Sequence, residues 1–266
     1  MSEQNRVIGH VLGVPIDVVD WELATARIFQ WGMKRESRYV CICNVHSVVT
    51  ARQDVNFEKI VAQSDMSTAD GAPVAWMLRK LGFAGQKRIN GPDLMLHCCA
   101  EAEKTGLPIY LFGSTPATLR MLEANLKHTF NQIVIAGSHS PAFGAVSAAE
   151  ELAEIDHINA SGAGLVFVGL GCPKQEMWMA KNRGLINAVM IGVGAAFDYH
   201  AGTVKRAPVW MQNFGLEWLH RLASEPSRLW KRYLVTNTIF VLSAIGQLFF
   251  NSFRVKNLSS SAGQMR

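Results

Sequence analysis

Gly164-Leu165-Val166-Phe167-Val168-Gly169-Leu170-Gly171-Cys172-Pro173-Lys174-Gln175-Glu176 joins a short apolar run to two glycines, a proline and a polar, helix-compatible segment. That order reads as a buried strand, a tight turn and a helix N-terminus. Proline at the first helical position loses no hydrogen bond, because that N–H has no intrahelical partner. The free amides and the helix dipole favour an anion there, and Lys174 adds a positive charge. The stretch points to an α/β fold with a site for a phosphate-bearing ligand. The plainer alternative is an ordinary strand-to-helix turn.

The flanking sequence repeats the alternation. Residues 7–16 read as a small β element turning at Gly13-Val14-Pro15, and Asp17 as the cap of a helix running to about Trp31. Apolar runs at 39–43, 65–69, 108–112, 132–136, 165–168 and 188–193 read as strands. Between them, 54–63, 73–81, 92–104, 116–128 and 147–160 read as helices, the last opened by a Ser147/Glu150 capping box. This predicts a mostly parallel, Rossmann-like sheet with helices on both faces. Ligands of such sheets bind beyond the carboxyl ends of the strands. That rule singles out Asn44, His46, Asp70, Gly113, Ser114, Gly171, Lys174, Gly194 and Asp198.

Of the 266 residues, 49% are hydrophobic and 18% charged, which excludes a disordered chain. The five cysteines are odd in number and form no CxxC pair, so neither a disulfide framework nor a zinc site is expected, and a reducing cytosol is. No secretory signal is expected at the N-terminus. Residues 200–266 hold 9 Lys and Arg against 2 Asp and Glu, whereas 1–199 hold 17 against 19, so the excess charge lies in the last quarter. Such a tail suits phosphates, nucleic acid or an anionic membrane surface. From about Arg206 the strand–helix alternation ceases, which predicts an α/β core over 1–205 and a basic, apolar helical appendage over 206–266. Residues 233–253 carry no charge but include Thr236, Asn237, Thr238, Ser243 and Gln247. A helix packed on the core or lying on a bilayer is expected there rather than a span.

Asp70, at a strand end and backed by Gly71, is placed to take a proton from a hydroxyl nucleophile; the alternative is a turn aspartate bonding its own backbone. Arg88 precedes another helix start and its planar fork suits a diphosphate. Gly113-Ser114-Thr115-Pro116 offers a second strand-to-helix turn with amides and hydroxyls; the favoured alternative is a plain Ser or Thr helix cap. GxGxxG fails at the segments starting at Gly169 and Gly192, where Lys174 and Phe197 replace the third glycine, and no P-loop occurs. No Asp-x-Asp triplet is present, so a nucleotide-sugar diphosphate chelated through a metal by that device is not indicated; Lys and Arg would neutralise the phosphates, and no metal or other cofactor is expected.

Several blocks, in order, resemble the WecG/TagA/CpsF family of bacterial glycosyltransferases. They are Asn44-Val45-His46, Thr68-Ala69-Asp70-Gly71, Arg88 through Leu94, Gly169 through Glu176, Gly192 through Asp198, Gly202 through Pro208, Gly215-Leu216-Glu217-Trp218, Arg221 and Pro226-Ser227-Arg228. The resemblance implies an inverting, metal-independent hexosyltransferase (EC 2.4.1 type) in surface or exopolysaccharide synthesis. It implies a UDP-sugar donor and a polyprenyl-diphosphate-linked sugar acceptor, met from the cytoplasmic face of the membrane. Asp70 would be the base, and Arg221, Arg228 and, less securely, Arg232 would reach the leaving diphosphate. Gln175, Lys205 and Arg206 join Asn44, His46, Arg88, Gly113, Ser114, Gly171, Lys174 and Asp198 as expected substrate-binding residues. Enterobacterial members carry an acidic residue and a lysine near positions 46 and 47. The His46-Ser47 form resembles members from exopolysaccharide clusters, so glucose joins N-acetylmannosamine and its uronic acid as candidate donors. No nucleic-acid partner is expected, and self-association is left open. The rival reading is a non-catalytic nucleotide- or phosphate-binding module with a membrane-attached tail.

Overall fold

The computed structural model describes residues 6–142, 144 and 147–263, the last twelve as backbone only. Strands β1 (Ile8–Val11) and β2 (Val14–Asp17) form an antiparallel hairpin. Its turn is Leu12-Gly13, with φ of 53° and 92°, the left-handed pair that a two-residue hairpin uses. The turn therefore lies ahead of the expected Gly13-Val14-Pro15, and Val14 and Pro15 belong to β2. Helix α1 (Trp21–Met33) is capped by Asp20, whose side chain accepts from Leu23 N, not by Asp17. Asp17 is instead buried at the end of β2, paired with Arg6 and accepting from Ser67 N at 2.7 Å.

The chain continues as β3 (Arg38–Cys43), α2 (Val45–Gln53), α3 (Val55–Ala62), β4 (Met66–Ala69), α4 (Ala72–Lys80), α5 (Gly91–Thr105), β5 (Ile109–Gly113) and α6 (Pro116–Thr129). Next come β6 (Ile135–His139), α7 (Ala148–Ala160), β7 (Leu165–Gly169), α8 (Lys174–Lys181), β8 (Val189–Gly192) and α9 (Ala196–Ala201). Helices α10 (Val209–Asn213), α11 (Glu217–Ser224) and α12 (Pro226–Gly263) follow, and no strand comes after β8 among the described residues.

Six strands form one parallel sheet in the order β4-β3-β8-β7-β5-β6. Two hydrophobic clusters cover its faces. One gathers the hairpin with α2, α3, α4, α7, α8 and α12, and the other gathers α1, α5, α6 and α9. The expected Rossmann-like sheet with helices on both faces is thus present. Strands buried on both faces must be apolar along their whole length, which is why β3, β4, β5, β7 and β8 stand out in the sequence. Edge strand β6 is only half-buried and starts three residues later than expected. Helix α2 was not foreseen; Asn44 caps it by accepting from Ser47 N at 3.1 Å.

The chain leaves β3 into α2 on one face and leaves the adjacent β8 into α9 on the other. Neighbouring strands whose connections diverge open a crevice at their carboxyl ends. This is where the site lies. Gly113 and Ser114 are on the same rim but have a different task. Gly113 has φ 118°, and a Cβ there would meet the Gly169 carbonyl carbon at 2.7 Å; Ser114 N donates to Gly169 O at 3.1 Å. Gly113→Ala is expected to destabilise the fold by at least about 1–3 kcal/mol, read as a lowered urea or thermal midpoint. An unchanged midpoint would show that these strand ends part freely.

Helix α12 packs on α2 and buries Phe240 and Ala244. Gln247 ties it to the hairpin: Leu12 N donates to its Oε1 at 2.9 Å, and its Nε2 donates to His10 O at 2.7 Å. By length and composition alone, residues Pro226–Asn251 suffice to cross a membrane, with a mean hydropathy of 1.6.

Candidate active site

A cavity of about 770 Å³ fills the crevice. Its floor is the carboxyl ends of β3, β4 and β8 with the loop before α8, and its roof is α11 and α12. Asp70, Asn44, His46, Arg88, Gly171, Gln175, Arg221 and Arg228 line it, as does Arg232. Gly113, Ser114, Lys174, Asp198, Lys205 and Arg206, also expected at the substrate, lie outside its wall.

Local structure fixes Asp70. Its N–H donates to Cys43 O at 2.9 Å, which extends the β3–β4 pairing by one step. Gly71, with φ 83°, then turns the chain into α4, a backbone geometry that glycine adopts without strain. Alongside, Ile89 N donates to Ala69 O at 2.9 Å and Thr68 Oγ1 to Ile89 O at 3.2 Å. These bonds bring Arg88 Nε to 3.4 Å from Asp70 Oδ1. Arg88 Nη2 also donates to Glu217 Oε2 at the start of α11. Burial pushes the Asp70 carboxyl above the usual carboxylate range, with Arg88 pulling it back and Glu217 pushing it further up.

On α2, burial and the charge of Arg232 push the His46 imidazole down to about 4. At neutral pH it is an uncharged hydrogen-bonding group, with Thr50 Oγ1 3.5 Å from Nδ1. Arg232 Nε is buried with no hydrogen-bond partner among the described residues. Burying an unpaired charged group is costly, so a ligand acceptor at this point would relieve a defect. Arg221 and Arg228 stand over Asp198; burial pushes that carboxyl up and the two arginines pull it down. Arg228 also pairs with Glu225 at 2.8 Å. Asp198 is thus near enough to feel the charges of the roof, but it is not part of the cavity lining.

The loop before α8 departs from its sequence reading. Pro173 is the N-cap, and Lys174, the first helical residue, is exposed. The face of α8 turned to the core carries Gln175, Glu176 and Met179, so Lys174 points its position outward by helical periodicity. Gln175 both lines the cavity and braces it. Its Oε1 accepts from Gly171 N at 3.2 Å, and its Nε2 donates to Gly192 O at 3.1 Å. Burial pushes the Glu176 carboxyl up, and its Oε2 lacks a partner among the described residues. Arg206 is held by Asp93, Asn90 and Glu217, and Lys205 is exposed. Among the described residues, no three His, Cys, Asp or Glu side chains gather as a metal site would need.

Several lining residues carried no expected role: Trp76, Tyr199, Glu217, Tyr233 and the apolar row Phe240, Val241, Ala244, Ile245 and Leu248 on α12. Glu217 sat within the Gly215–Trp218 block, so a signal existed. The others were hidden in helices that sequence reads as packing. A family model described as Glycosyl transferase WecG/TagA/CpsF family matches residues 9–254, a span that takes in the whole parallel sheet, α10 and α11.

Proposed function

From the premise that the chain belongs to the WecG/TagA/CpsF glycosyltransferase family, we infer that it transfers a hexose from a UDP-sugar to a sugar carried on polyprenyl diphosphate. The reaction is an inverting, single displacement. Asp70 takes the proton of the acceptor hydroxyl as that oxygen bonds to the anomeric carbon. The bond from that carbon to the donor phosphate breaks on the opposite side, and UDP departs. The observation that supports this reading best is one cavity lined by the half-buried carboxylate of Asp70 together with Arg221, Arg228 and Arg232, its other carboxylate, Glu217, being tied up by Arg88 and Arg206. Fixed cations in a partly dry site stabilise charge as it develops on a leaving group. Against the rival of a plain nucleotide-binding module, a carboxylate in such a place weakens anion binding unless it has chemistry to do.

The apolar row of α12 fits the lipid end of the acceptor. Val241 and Ile245 both line the cavity and are exposed, so its apolar end opens at the surface. Around it, Trp210, Phe214, Trp230, Leu234, Leu242 and Phe250 are exposed beside Lys231, a pattern that suits the interface of an anionic membrane. We assign 1–205 to the catalytic core and 206–266 to an appendage that holds the enzyme on the inner face of the cell membrane. The donor is glucose, N-acetylmannosamine or its uronic acid.

The test is UDP release from a panel of these UDP-sugars, with a lipid-diphosphate-sugar analogue in vesicles and EDTA present. Acceptor-dependent release from one of them is expected. Release from none, or activity lost in EDTA and restored by manganese, overturns the reading.

A further inference from the structure

Arg88 is shared between two carboxylates on different parts of the chain. Its Nε reaches Asp70 on the core at only 3.4 Å, while its Nη2 makes a short contact with Glu217 on α11. Glu217 is held in turn: Arg206 Nε donates to its Oε1 at 3.1 Å. Arg206 is itself anchored to the core, at 3.1 Å from Asp93 Oδ2 and 3.3 Å from Asn90 Oδ1. A charged relay therefore runs from Asp93 through Arg206, Glu217 and Arg88 to Asp70, and its middle member alone comes from α11.

We propose that Glu217 is a positioning residue that keeps Arg88 from closing onto Asp70, so that the base is free only while α11 is docked. This deepens the transfer reading above and rests on it. A guanidinium offers five donors in a planar fork and prefers a bidentate carboxylate pair. With Glu217 gone, nothing on α11 holds the Nη side of Arg88, and the fork can turn both edges to Asp70. A carboxylate in such a pair is a poorer base. With Glu217 present the pairing stays long and single, and the second negative charge favours a proton on Asp70. The arrangement ties proton removal to a docked roof, so a donor sugar bound under an open one meets a silenced base instead of activating water.

The other titratable or charged groups around Asp70 leave its titration readable. His46 on α2 is already neutral well below pH 6. Arg221 on α11, and Arg228 and Arg232 on α12, stay cationic throughout. Tyr199 on α9, and Cys43 on β3, are pushed up by burial.

The experiment is the pH profile of kcat/KM for the full chain on acceptor-loaded vesicles. Glu217→Gln should move the acid limb to lower pH and lower kcat about three- to tenfold, with the affinity for UDP kept. Arg206→Gln, which strips Glu217 of its other partner, should move the limb to higher pH. A folding defect would act alike in both variants and cannot give opposite signs. An acid limb unmoved in Glu217→Gln, or moved the same way in both, overturns the proposal. Asp70→Asn separates the two levels: if it keeps both turnover and the limb, the transfer reading itself fails. If it abolishes them while Glu217→Gln leaves the limb in place, only the role of Glu217 fails.

Discussion

If Asp70 is the base as proposed, Asp70→Asn is expected to lower kcat by about 10²–10⁴-fold, the usual worth of general-base help, with binding of the proposed UDP-sugar donor kept. The amide keeps the shape of the carboxylate but cannot take a proton. The loss should therefore appear in single-turnover rates, with UDP still raising the melting temperature. Near wild-type turnover would remove Asp70 as the base. The sign of the pH effect follows from the burial of Asp70. Its folded-state pKa is raised, so the base is protonated and idle at low pH, and activity rises with pH through a value above the ordinary carboxylate range. Stability runs the other way. A raised carboxyl favours the fold fully below its unfolded pKa and loses that contribution as pH climbs through the folded value. At pH 7–8 the ionised form is a cost, so Asp70→Asn should match or exceed the wild-type melting temperature while catalysis falls. That pairing is what a strained catalytic group produces.

Removing Arg221 and Arg228 together is the second large effect. Each preorganised donor aimed at developing charge is worth about 10²–10³ in kcat. The double variant to alanine should lose at least that much, and UDP should bind more weakly as well. That second loss distinguishes it from Asp70→Asn, where nucleotide affinity holds. The readout is kcat with UDP affinity by thermal shift. Full activity would take the roof out of the mechanism. Arg228 is exposed and Arg221 half-buried, so the fold should survive.

The sheet was legible because parallel strands covered on both faces leave uninterrupted apolar runs, as in Leu165–Gly169. The edge strand Ile135–His139, half-exposed and containing Gly137 and Ser138, leaves a blurred one, and its start was misplaced. Helix α2 escaped because Val45–Gln53 is squeezed between the sheet and α12, so Ser47, Val48, Val49 and Ala51 are all buried and no clean apolar stripe forms. Asp70 could be found from the rule that ligands meet strand ends. Gly113 and Ser114 obey the same rule yet lie away from the cavity, because strand order decides which ends share a crevice, and sequence does not print strand order. Ion partners are equally invisible: nothing in Gly215–Trp218 says that Glu217 meets Arg88 from 129 residues away.

Gln247 sits within an uncharged, largely apolar stretch, and the β1–β2 hairpin uses both ends of its amide. In hydrocarbon that amide would be bare, so pulling the helix into lipid means breaking two bonds to the core first. The same tether sets a height. On the membrane-bound reading proposed above, it would fix how far Asp70 stands from the headgroup plane, and hence how long a lipid-carried saccharide could be and still reach it.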